Sequence, residues 1–404
     1  MNTSSCDVAV VGGGPAGLAT AARTAQAGLK SIVFERDHAI GEPVRTSGGS
    51  FVKPLRALGV PSRCWHEVHV IRVVGPTTEA VKRFRRPLGC VLDVRATYQW
   101  LAAQAADAGA EIRLKAHVKQ AITDTGGRIT GIEVRDQLHG TEQVAAKVVV
   151  DASGHTGFIA REAGLRSGNE RSAVGLELEV HAPAYDQDEA IFWLGDTIAP
   201  GGYGWAFPLG RDRVRLGIGL VRPDSDAEPR ELLTKLREVV ERDLGPGTTA
   251  GAIEQHSGLM PVLDPRGVTN TGDGLVAVGD AAGQGSTLLG EGIRYAITAG
   301  RMAGDAIVAA GGDYSARALS PYAEAWRRAT RRDLLLSHAV NKRIVAYRDA
   351  DWDRAIRRLD QLSAKQAGAV FASSFTAPWA LGVLVTHPSL LVSLLRAARN
   401  SRRD

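Results

Sequence analysis

The segment that most constrains the fold is "VAVVGGGPAGLATAARTAQAGLKSIVFER", near the start of the chain. An apolar run at residues 8–11 predicts a buried strand, which leads directly into a GxGxxG motif formed by Gly12, Gly14 and Gly17. An alanine-rich helix follows, and then a second strand that ends at Glu35. In this context the glycines permit a tight turn, a close approach of backbone amides to a pyrophosphate, and close helix packing, while the carboxylate accepts hydrogen bonds from ribose hydroxyls. The sequence therefore predicts a Rossmann-like dinucleotide-binding domain, with FAD and NAD both open as ligands at this point.

A second nucleotide-binding segment is predicted far downstream, at residues 272–300, "GDGLVAVGDAAGQGSTLLGEGIRYAITAG". A buried strand ends at Asp280, whose carboxylate can accept from a ribityl hydroxyl, and the Gly290 and Gly292 pair opens another helix. The N-terminus of that helix points amide donors and a positive dipole end toward a bound flavin. A further strand with an acid and a small-residue turn, "VVVDASGHTG", lies at residues 148–157. An NAD dehydrogenase needs neither segment, so the combination favours FAD.

Aromatic residues are concentrated in "GGYGWAFPLGRDRVRLGIGL", residues 201–220, although they make up only 5% of the chain. Tyr203, Trp205 and Phe207 stand at every second position, so in a β-strand they share one face. Such a stripe packs against a sheet core or faces a bound apolar molecule. Both interpretations remain open from this segment alone.

Composition and charge narrow the class of protein. The 404 residues are 44% hydrophobic and 23% charged, which is typical of a globular chain. The net charge of +5 is spread out until the C-terminal segment, without a stripe of interleaved basic and aromatic residues, so we expect no nucleic-acid partner. Cys6, Cys64 and Cys90 have no CxxC spacing, and the N-terminus predicts a strand rather than a signal peptide, so a cytoplasmic location is expected.

No catalytic side chain is predicted from the sequence, and no metal site. The segment "CWHEVHV" offers Cys64, His66 and His69, but the two histidines would face opposite sides of a strand. A second dinucleotide fingerprint is also missing from the sequence. Electrons are therefore expected from NAD(P)H that binds only transiently, or from reduced ferredoxin or another separate donor protein.

The order of these segments resembles that of the FAD-dependent oxidoreductases related to p-hydroxybenzoate hydroxylase. The motifs that carry this resemblance are the fingerprint with Glu35, Arg95 in "LDVRATYQWLAAQAADAGAEI", "DASGHTG", and "GDAAG" followed by "GEGI". The stripe "GGYGWAFP" is similar to the YxWxFP signature of the geranylgeranyl reductase family, and the resemblance covers about residues 5–310. It implies an α/β fold, α+β overall, with a discontinuous Rossmann-like FAD-binding domain, an antiparallel β-sheet substrate domain and a helical C-terminal cap. The expected segments are 1–165 and 271–312 for FAD, 166–270 for substrate, and 313–404 for the cap.

The resemblance also implies the residues of the site. Together with the fingerprint glycines, the residues expected to contact FAD are Gly12, Gly14, Ala16, Gly17, Glu35, Arg36, Thr46, Ser47, Gly49, Arg95, Val118, Asp280, Gly290, Gly292 and Ile293. Substrate is expected to contact Tyr203, Trp205 and Phe207. An isoprenoid chain offers only apolar surface, and each buried CH₂ contributes about 0.8 kcal/mol, so aromatic walls suit it.

The chain departs from the family pattern at two positions near the expected flavin. Thr46 stands where these reductases often carry a cysteine, and Thr287 stands where they commonly carry a proline. The expected activity is FAD-dependent reduction of carbon–carbon double bonds in a prenyl lipid, quinone or related isoprenoid. Two alternatives remain open at this stage, a flavin-dependent monooxygenase or epoxidase of a secondary metabolite and a non-catalytic prenyl carrier.

The C-terminal segment contains an uncharged stretch at residues 366–395. Pro378 and Pro388 divide it into pieces too short to span a bilayer core of ~30 Å, so it predicts two amphipathic helices. These helices are expected either to cap the substrate domain or to contact a membrane surface peripherally.

Overall fold

The computed structural model describes residues 2–376 and residue 379, apart from residues 169, 246 and 250. The strands are β1 (Asn2–Val11), β2 (Ser31–Phe34), β3 (Gly49–Phe51), β4 (Trp65–Val68), β5 (Val70–Val74), β6 (Glu79–Arg83), β7 (Gly89–Leu92), β8 (Glu111–Arg113), β9 (Ala116–Thr123), β10 (Ile129–Asp136), β11 (Gly140–Asp151), β12 (Ser172–His181), β13 (Glu189–Trp193), β14 (Gly202–Gly210), β15 (Arg213–Arg222), β16 (Gly251–Pro261), β17 (Thr271–Gly272) and β18 (Leu275–Ala277). The α-helices are α1 (Pro15–Gln26), α2 (Val52–Ala57), α3 (Val94–Asp107), α4 (Phe158–Glu162), α5 (Pro229–Leu244), α6 (Ile293–Ala309), α7 (Ala316–Ile344), α8 (Asp349–Gln361) and α9 (Ala364–Phe371).

The fingerprint strand β1 lies inside a sheet with the order β17, β18, β11, β1, β2 and β8, and β10 and β9 extend from β11. β1 pairs in parallel with β11 and β2, and β11 pairs in parallel with β18. The strand is apolar at successive positions because both of its faces are covered. Val8 and Val10 pack in the core that includes α1 and α6, whereas Ala9 and Val11 pack in a second core on the opposite face.

Close helix packing completes this half of the fold. A Cβ on Gly300 of α6 would lie 2.2 Å from the backbone oxygen of Ala16 in α1, so only glycine fits there. The Thr20 hydroxyl of α1 also donates to the Gly300 carbonyl at 3.0 Å. The two predicted nucleotide-binding segments, separated by more than two hundred residues in the sequence, therefore share one helical layer.

The second large sheet is mostly antiparallel and has the order β16, β12, β15, β14, β13, β5 and β6. β13 pairs in parallel with β5, and the other pairs are antiparallel. The sheet therefore extends beyond the predicted segment 166–270, since β5 and β6 come from the segment 1–165. The α/β fold predicted from the sequence is confirmed, since two segments far apart in the chain form one unit beside a mostly antiparallel sheet.

The C-terminal helix α8 packs on β6, the edge strand of the antiparallel sheet. Asp353 of α8 accepts from the Thr77 backbone at 3.1 Å, the Thr77 hydroxyl at 2.6 Å and the Thr78 hydroxyl at 2.8 Å. Within the stretch 366–395, α9 includes residues 366–371, and residues 372–376 and 379 are also described. The rest of the two predicted amphipathic helices lies outside the described residues. Within the described part of the chain, the helices are all too short or too polar to cross a membrane.

Candidate active site

A cavity of about 1160 Å³ is lined by residues of both large sheets and of the C-terminal helices. Its wall combines the glycine-rich turns of the parallel sheet with the aromatic stripe of the antiparallel sheet. One continuous space therefore contacts both groups of residues that the sequence singles out. Such a shape suits a cofactor and an apolar substrate placed next to each other.

The fingerprint glycines occupy three different environments in the turn between β1 and α1. Gly12 has φ +110°, and a Cβ on it would lie 2.3 Å from the backbone oxygen of Ala152. A Cβ on Gly17 would lie 2.1 Å from the Gly12 oxygen, which is the close helix packing that the motif predicts. At Gly14 a Cβ would meet no protein atom within 4 Å, although the residue lines the cavity. The space over Gly14 therefore leaves room for a ligand such as a pyrophosphate to approach the backbone.

Glu35 closes the same turn from the end of β2. Its Oε2 accepts from the Gly13 backbone at 2.7 Å, and its Oε1 accepts from the Asp37 backbone at 2.8 Å. The carboxylate also lines the cavity, and a carboxylate has further acceptor sites for hydroxyl donors. Glu35 therefore shapes the glycine loop in addition to its predicted contact with a ribose.

The turn after β18 brings Asp280 to the cavity, and burial raises the pKa of this carboxyl to about 6 against the opposing effect of Arg166. Arg166, only 5% exposed, donates to the backbone oxygens of Asp280 at 2.9 Å, Ala281 at 3.3 Å and His155 at 3.1 Å. This arginine thus joins the "DASGHTG" turn to the "GDAAG" turn. Sequence analysis missed Arg166, because it belongs to no motif and its partners are distant in sequence.

The structure brings most of the predicted cofactor residues to one wall. Those that line the cavity are Gly12, Gly14, Ala16, Glu35, Arg36, Thr46, Ser47, Val118, Asp280, Gly290, Gly292 and Ile293. Gly17, Gly49 and Arg95 do not belong to that lining. Gly49 faces the Phe207 ring, which would lie 3.1 Å from a Cβ there, and Arg95 forms ion pairs with Glu42 at 2.5 Å and with Glu254 at 3.8 Å. FAD contact stays a prediction for all of these residues, including the three that lie outside the cavity lining.

The aromatic stripe lies on β14, where Tyr203 and Trp205 line the cavity and Phe207 does not. Phe207 is buried, with its ring centroid 5.9 Å from that of Trp205. The Tyr203 hydroxyl donates to the Leu289 carbonyl at 2.6 Å, which joins the stripe to the turn before Gly290. The stripe therefore packs in the core, as the first interpretation predicts, and two of its members also face the cavity. Contact with a bound apolar molecule stays a prediction.

A row of glycines opens the sheet surface beside the Trp205 ring. Gly175 on β12 pairs with Gly219 on β15 and with Gly258 on β16. A Cβ on Gly219 would lie 3.2 Å from the Trp205 ring, and a Cβ on Gly258 would lie 1.9 Å from the Arg45 backbone oxygen. All three glycines line the cavity. Their missing side chains let the indole and the loop that carries Arg45 approach the sheet directly.

A further part of the apolar wall comes from the described part of the C-terminal helices. The residues that contribute to it are Val340, Ile344, Val345, Trp352, Leu359, Val370 and Phe371. The Phe371 ring stacks on Phe192 of the sheet, with centroids 6.3 Å apart. The helices α7, α8 and α9 therefore cover the cavity, in agreement with the predicted helical C-terminal cap. Whether the rest of the stretch 366–395 caps the substrate domain or contacts a membrane stays a prediction.

Polar side chains interrupt the apolar lining at a few positions. Thr46 and Thr287, the two departures from the family pattern, both line the cavity. Glu177 and His256 line it too, although no sequence motif pointed to them. They lie on β12 and β16, and the strand register places them opposite each other.

The histidines and cysteine considered for a metal site have other surroundings. His66 Nε2 lies 2.7 Å from the Gln187 carbonyl, His69 Nδ1 lies 3.4 Å from the Phe84 carbonyl, and Cys64 is buried. Among the described residues, the side chains that gather metal-binding atoms are Asp136, His139 and Glu142 in one group and Glu179, Glu254 and His256 in another. Neither group includes Cys64, His66 or His69.

Known proteins with similar sequences show the family to which this chain belongs. Residues 7–197 match the family model of FAD dependent oxidoreductases, and residues 172–260 match the model of the geranylgeranyl reductase catalytic domain. The chain is 34% identical to digeranylgeranylglycerophospholipid reductase 1 of Methanopyrus kandleri over 79% of this chain and 85% of that protein. It is 31% identical to digeranylgeranylglycerophospholipid reductase 2 of Methanothermobacter thermautotrophicus over 95% of this chain and 97% of that protein.

A solved structure extends the similarity to the fold. The geranylgeranyl bacteriochlorophyll reductase-like protein of Thermoplasma acidophilum superposes with a TM-score of 0.85 and 26% identity, covering 98% of this chain and all of that one. The predicted resemblance, the use of FAD and the oxidoreductase activity are thereby confirmed. This chain belongs to the geranylgeranyl reductase family of FAD-dependent oxidoreductases.

Proposed function

We propose that this enzyme reduces carbon–carbon double bonds in the geranylgeranyl chains of a lipid. The observation that carries the proposal is the continuous cavity, which is lined both by the glycine-rich turns and by the Tyr203 and Trp205 rings. The matched relatives are named for reduction of digeranylgeranylglycerophospholipids, which supports the same substrate class here.

The chain's own residues supply binding, orientation and exclusion of water. The backbone over Gly14, the Glu35 carboxylate and the Asp280 carboxylate would hold the pyrophosphate, ribose and ribityl groups of FAD. When bound in reduced form, FAD supplies a hydride. The aromatic stripe and the C-terminal helices would hold the isoprenoid chain, because a wall of this kind gains binding free energy for each CH₂ removed from water. The same covering of the cavity limits the access of water to the reacting double bond.

Product mass tests the reaction. The holoenzyme, reduced under anaerobic conditions, is mixed with a geranylgeranyl lipid, and a product heavier by two hydrogens per double bond is expected. A product heavier by one oxygen, formed only in air, would replace the proposal with an oxygenase. Tight lipid binding without any conversion would support a carrier instead.

The electron donor is inferred to be NAD(P)H or reduced ferredoxin. Arg36, Arg45 and Lys119 are exposed and line the same cavity, where they suit the phosphates of a dinucleotide or the acidic surface of an electron-carrier protein. Anaerobic bleaching of the flavin absorbance by each donor separately identifies which one reduces the enzyme. The absence of bleaching with both would contradict this inference.

Replacing Glu35 with alanine is expected to weaken FAD binding by about 1.5–3 kcal/mol, the range for hydrogen bonds to a charged group. The change also removes the acceptor for the Gly13 and Asp37 amides, so the loop loses its support. Flavin-release titration measures the effect. Glu35→Gln, which retains one acceptor oxygen, should lose less, and equal affinities for the three proteins would place the ribose elsewhere.

FAD affinity is expected to depend on pH through Asp280. A ribityl hydroxyl donates to the ionised carboxylate and lowers its pKa in the complex, whereas burial holds the pKa of the free protein at about 6. Affinity is therefore full above that value and falls by about tenfold per pH unit below it, until the pKa of the complex is reached. Titrations between pH 5 and 8 measure this slope. Asp280→Asn should give a flat profile, and a flat profile for the unchanged protein would contradict the assignment.

We propose that the enzyme is cytoplasmic and that it works at a membrane surface, where a lipid substrate is found. The exposed side chains of Arg327, Arg328 and Arg331 lie together on α7, and each basic residue near an anionic surface contributes about 1 kcal/mol. Cosedimentation with phosphatidylglycerol vesicles is expected, and it should weaken when the three arginines are replaced by serine. Equal cosedimentation of both proteins, or none, would exclude this face as the contact.

A further inference from the structure

A buried group of charged side chains lies beside the Trp205 indole in the antiparallel sheet. Glu177, Glu179, Arg215 and His256 are only 3–5% exposed, and Glu254 at their edge is about one-third exposed. Strand register brings them together, because β12 pairs Glu177 with His256 and Glu179 with both Arg215 and Glu254. Burying these charges costs desolvation free energy unless each is paired, so each side chain needs an oppositely charged or hydrogen-bonding partner.

Two members of this group reach the cavity. Glu177 and His256 line it, and the Trp205 indole donates from Nε1 to Glu177 Oε2 at 3.2 Å. Arg215 donates to the Ser47 carbonyl at 2.8 Å, and Ser47 belongs to the loop expected at the flavin. The charged group therefore lies between the aromatic stripe and the predicted cofactor loop.

His256 is placed between two carboxylates. Its Nδ1 lies 3.0 Å from Glu177 Oε1, and its Nε2 lies 2.9 Å from Glu254 Oε2. Only the protonated imidazole has an N–H donor at both ring nitrogens, so this geometry favours a proton held on the ring. Burial lowers the pKa of His256, but the bonds to Glu177 and Glu254 outweigh burial and raise the pKa above its ordinary value.

The surrounding charges leave this proton in place. Arg215 lies 3.8 Å from Glu177 Oε1 and opposes protonation of His256, but its stronger partner is Glu179 at 3.2 Å. Arg213 also pairs with Glu179, and the Arg95 guanidinium lies 3.8 Å from Glu254. A metal ion on Glu179, Glu254 and His256 would have to displace two guanidinium groups, so we do not assign one.

We propose that Glu254, His256 and Glu177 form a proton relay from solvent to the cavity, which serves the double-bond reduction and rests on the proposed function. Reduction of one double bond forms two C–H bonds and takes up one hydride and one proton. The hydride carries two electrons away from the reduced cofactor, which the electron donor then restores. The proton on His256 Nδ1 passes through the Glu177 carboxylate to the second alkene carbon. Glu254 transfers a replacement proton from water to His256.

The test follows reoxidation of the flavin absorbance when anaerobically reduced holoenzyme is mixed with a geranylgeranyl lipid. Glu254→Gln is expected to slow this step at least tenfold while FAD content and lipid affinity remain unchanged. Formate or acetate buffer should restore the rate in proportion to its concentration, because a small acid replaces the missing solvent end. If Glu254 had only a structural role, the reoxidation rate of Glu254→Gln would not change with buffer concentration.

The matched control is Glu142→Gln. Like Glu254, Glu142 pairs with a cationic side chain, here Arg113, but its side chain is more buried, it lies in the sheet that contains β1, and it is outside the cavity lining. This variant should retain the wild-type reoxidation rate even if it melts at a lower temperature. A loss of rate equal to that of Glu254→Gln would overturn the relay, because removing the charge of any ion-paired carboxylate would then have the same effect.

A second measurement does not need turnover. Nitrogen NMR of the ¹⁵N-labelled holoenzyme, with the His256 signals identified by their loss in His256→Gln, should show both ring nitrogens protonated at pH 7. Glu254→Gln should lower the pKa of His256 by at least one unit. A neutral ring at pH 7 in the unchanged protein, or an unchanged rate in Glu254→Gln, would overturn the relay alone. If the unchanged reduced enzyme is not reoxidised by the lipid, the proposed function fails, and the role of the relay fails with it.

Discussion

Gly14→Val is expected to abolish FAD binding while the chain remains folded. Gly14 has an extended backbone, with φ −78° and ψ 177°, which valine adopts without strain. A Cβ at this position meets no protein atom within 4 Å, so the added methyl groups would occupy only the space over the backbone amides. Flavin absorbance of the purified variant measures the loss, and the melting temperature of the apoprotein reports folding.

Gly168→Val is the matched control, because a Cβ on Gly168 also meets no protein atom within 4 Å and the residue lies outside the cavity lining. It should retain FAD. If Gly14→Val keeps full flavin occupancy, the pyrophosphate does not approach this turn, and the assignment of the cofactor site is wrong.

Trp205→Ala is expected to lower both stability and substrate affinity. The indole is only 6% exposed, and a Cβ on Gly217 would lie 2.3 Å from its ring, so the side chain fills the sheet surface closely. Truncating such a buried tryptophan costs about 3–5 kcal/mol of unfolding free energy. The same side chain lines the cavity, so a prenyl ligand also loses a wall. Denaturant unfolding and lipid-binding titration measure the two effects separately.

Gly175→Val separates the two roles of this region. Gly175 lines the cavity, and a Cβ on it would come no closer than 3.9 Å to the Trp205 ring and the Gly258 oxygen, which is ordinary contact. The added side chain therefore narrows the cavity without removing core packing, and we expect weaker lipid binding at nearly unchanged stability. Unchanged lipid affinity in both variants would place the isoprenoid chain away from this sheet.

Local motifs made the FAD half of the site predictable. The turn at Gly12, Gly14 and Gly17 depends on neighbours within a few residues, and its geometry in the structure follows the spacing of the glycines. The same holds for the turn at Asp280, where a strand ends directly in the cavity wall. Alternation likewise placed Tyr203 and Trp205 on one face of a strand, although it could not show which members of that face would meet the cavity.

Residues that act through distant partners could not be predicted in this way. Arg166 contacts backbone oxygens more than one hundred residues further along the chain, and no motif marks it. His256 meets Glu177 only because β16 pairs with β12 in one particular register. A register shift by one residue would turn these side chains to opposite faces of the sheet.

The sequence by itself determined the cofactor class, the α/β fold and the family, because each rests on short motifs whose backbone conformations are set locally. Tertiary structure alone decided that β5 and β6 join the antiparallel sheet, that the C-terminal helices cover the cavity, and that a buried histidine lies between two carboxylates at its wall. The physical reason is that strand pairing and helix docking bring together residues far apart in the chain. The residue spacing within any one segment does not specify those partners.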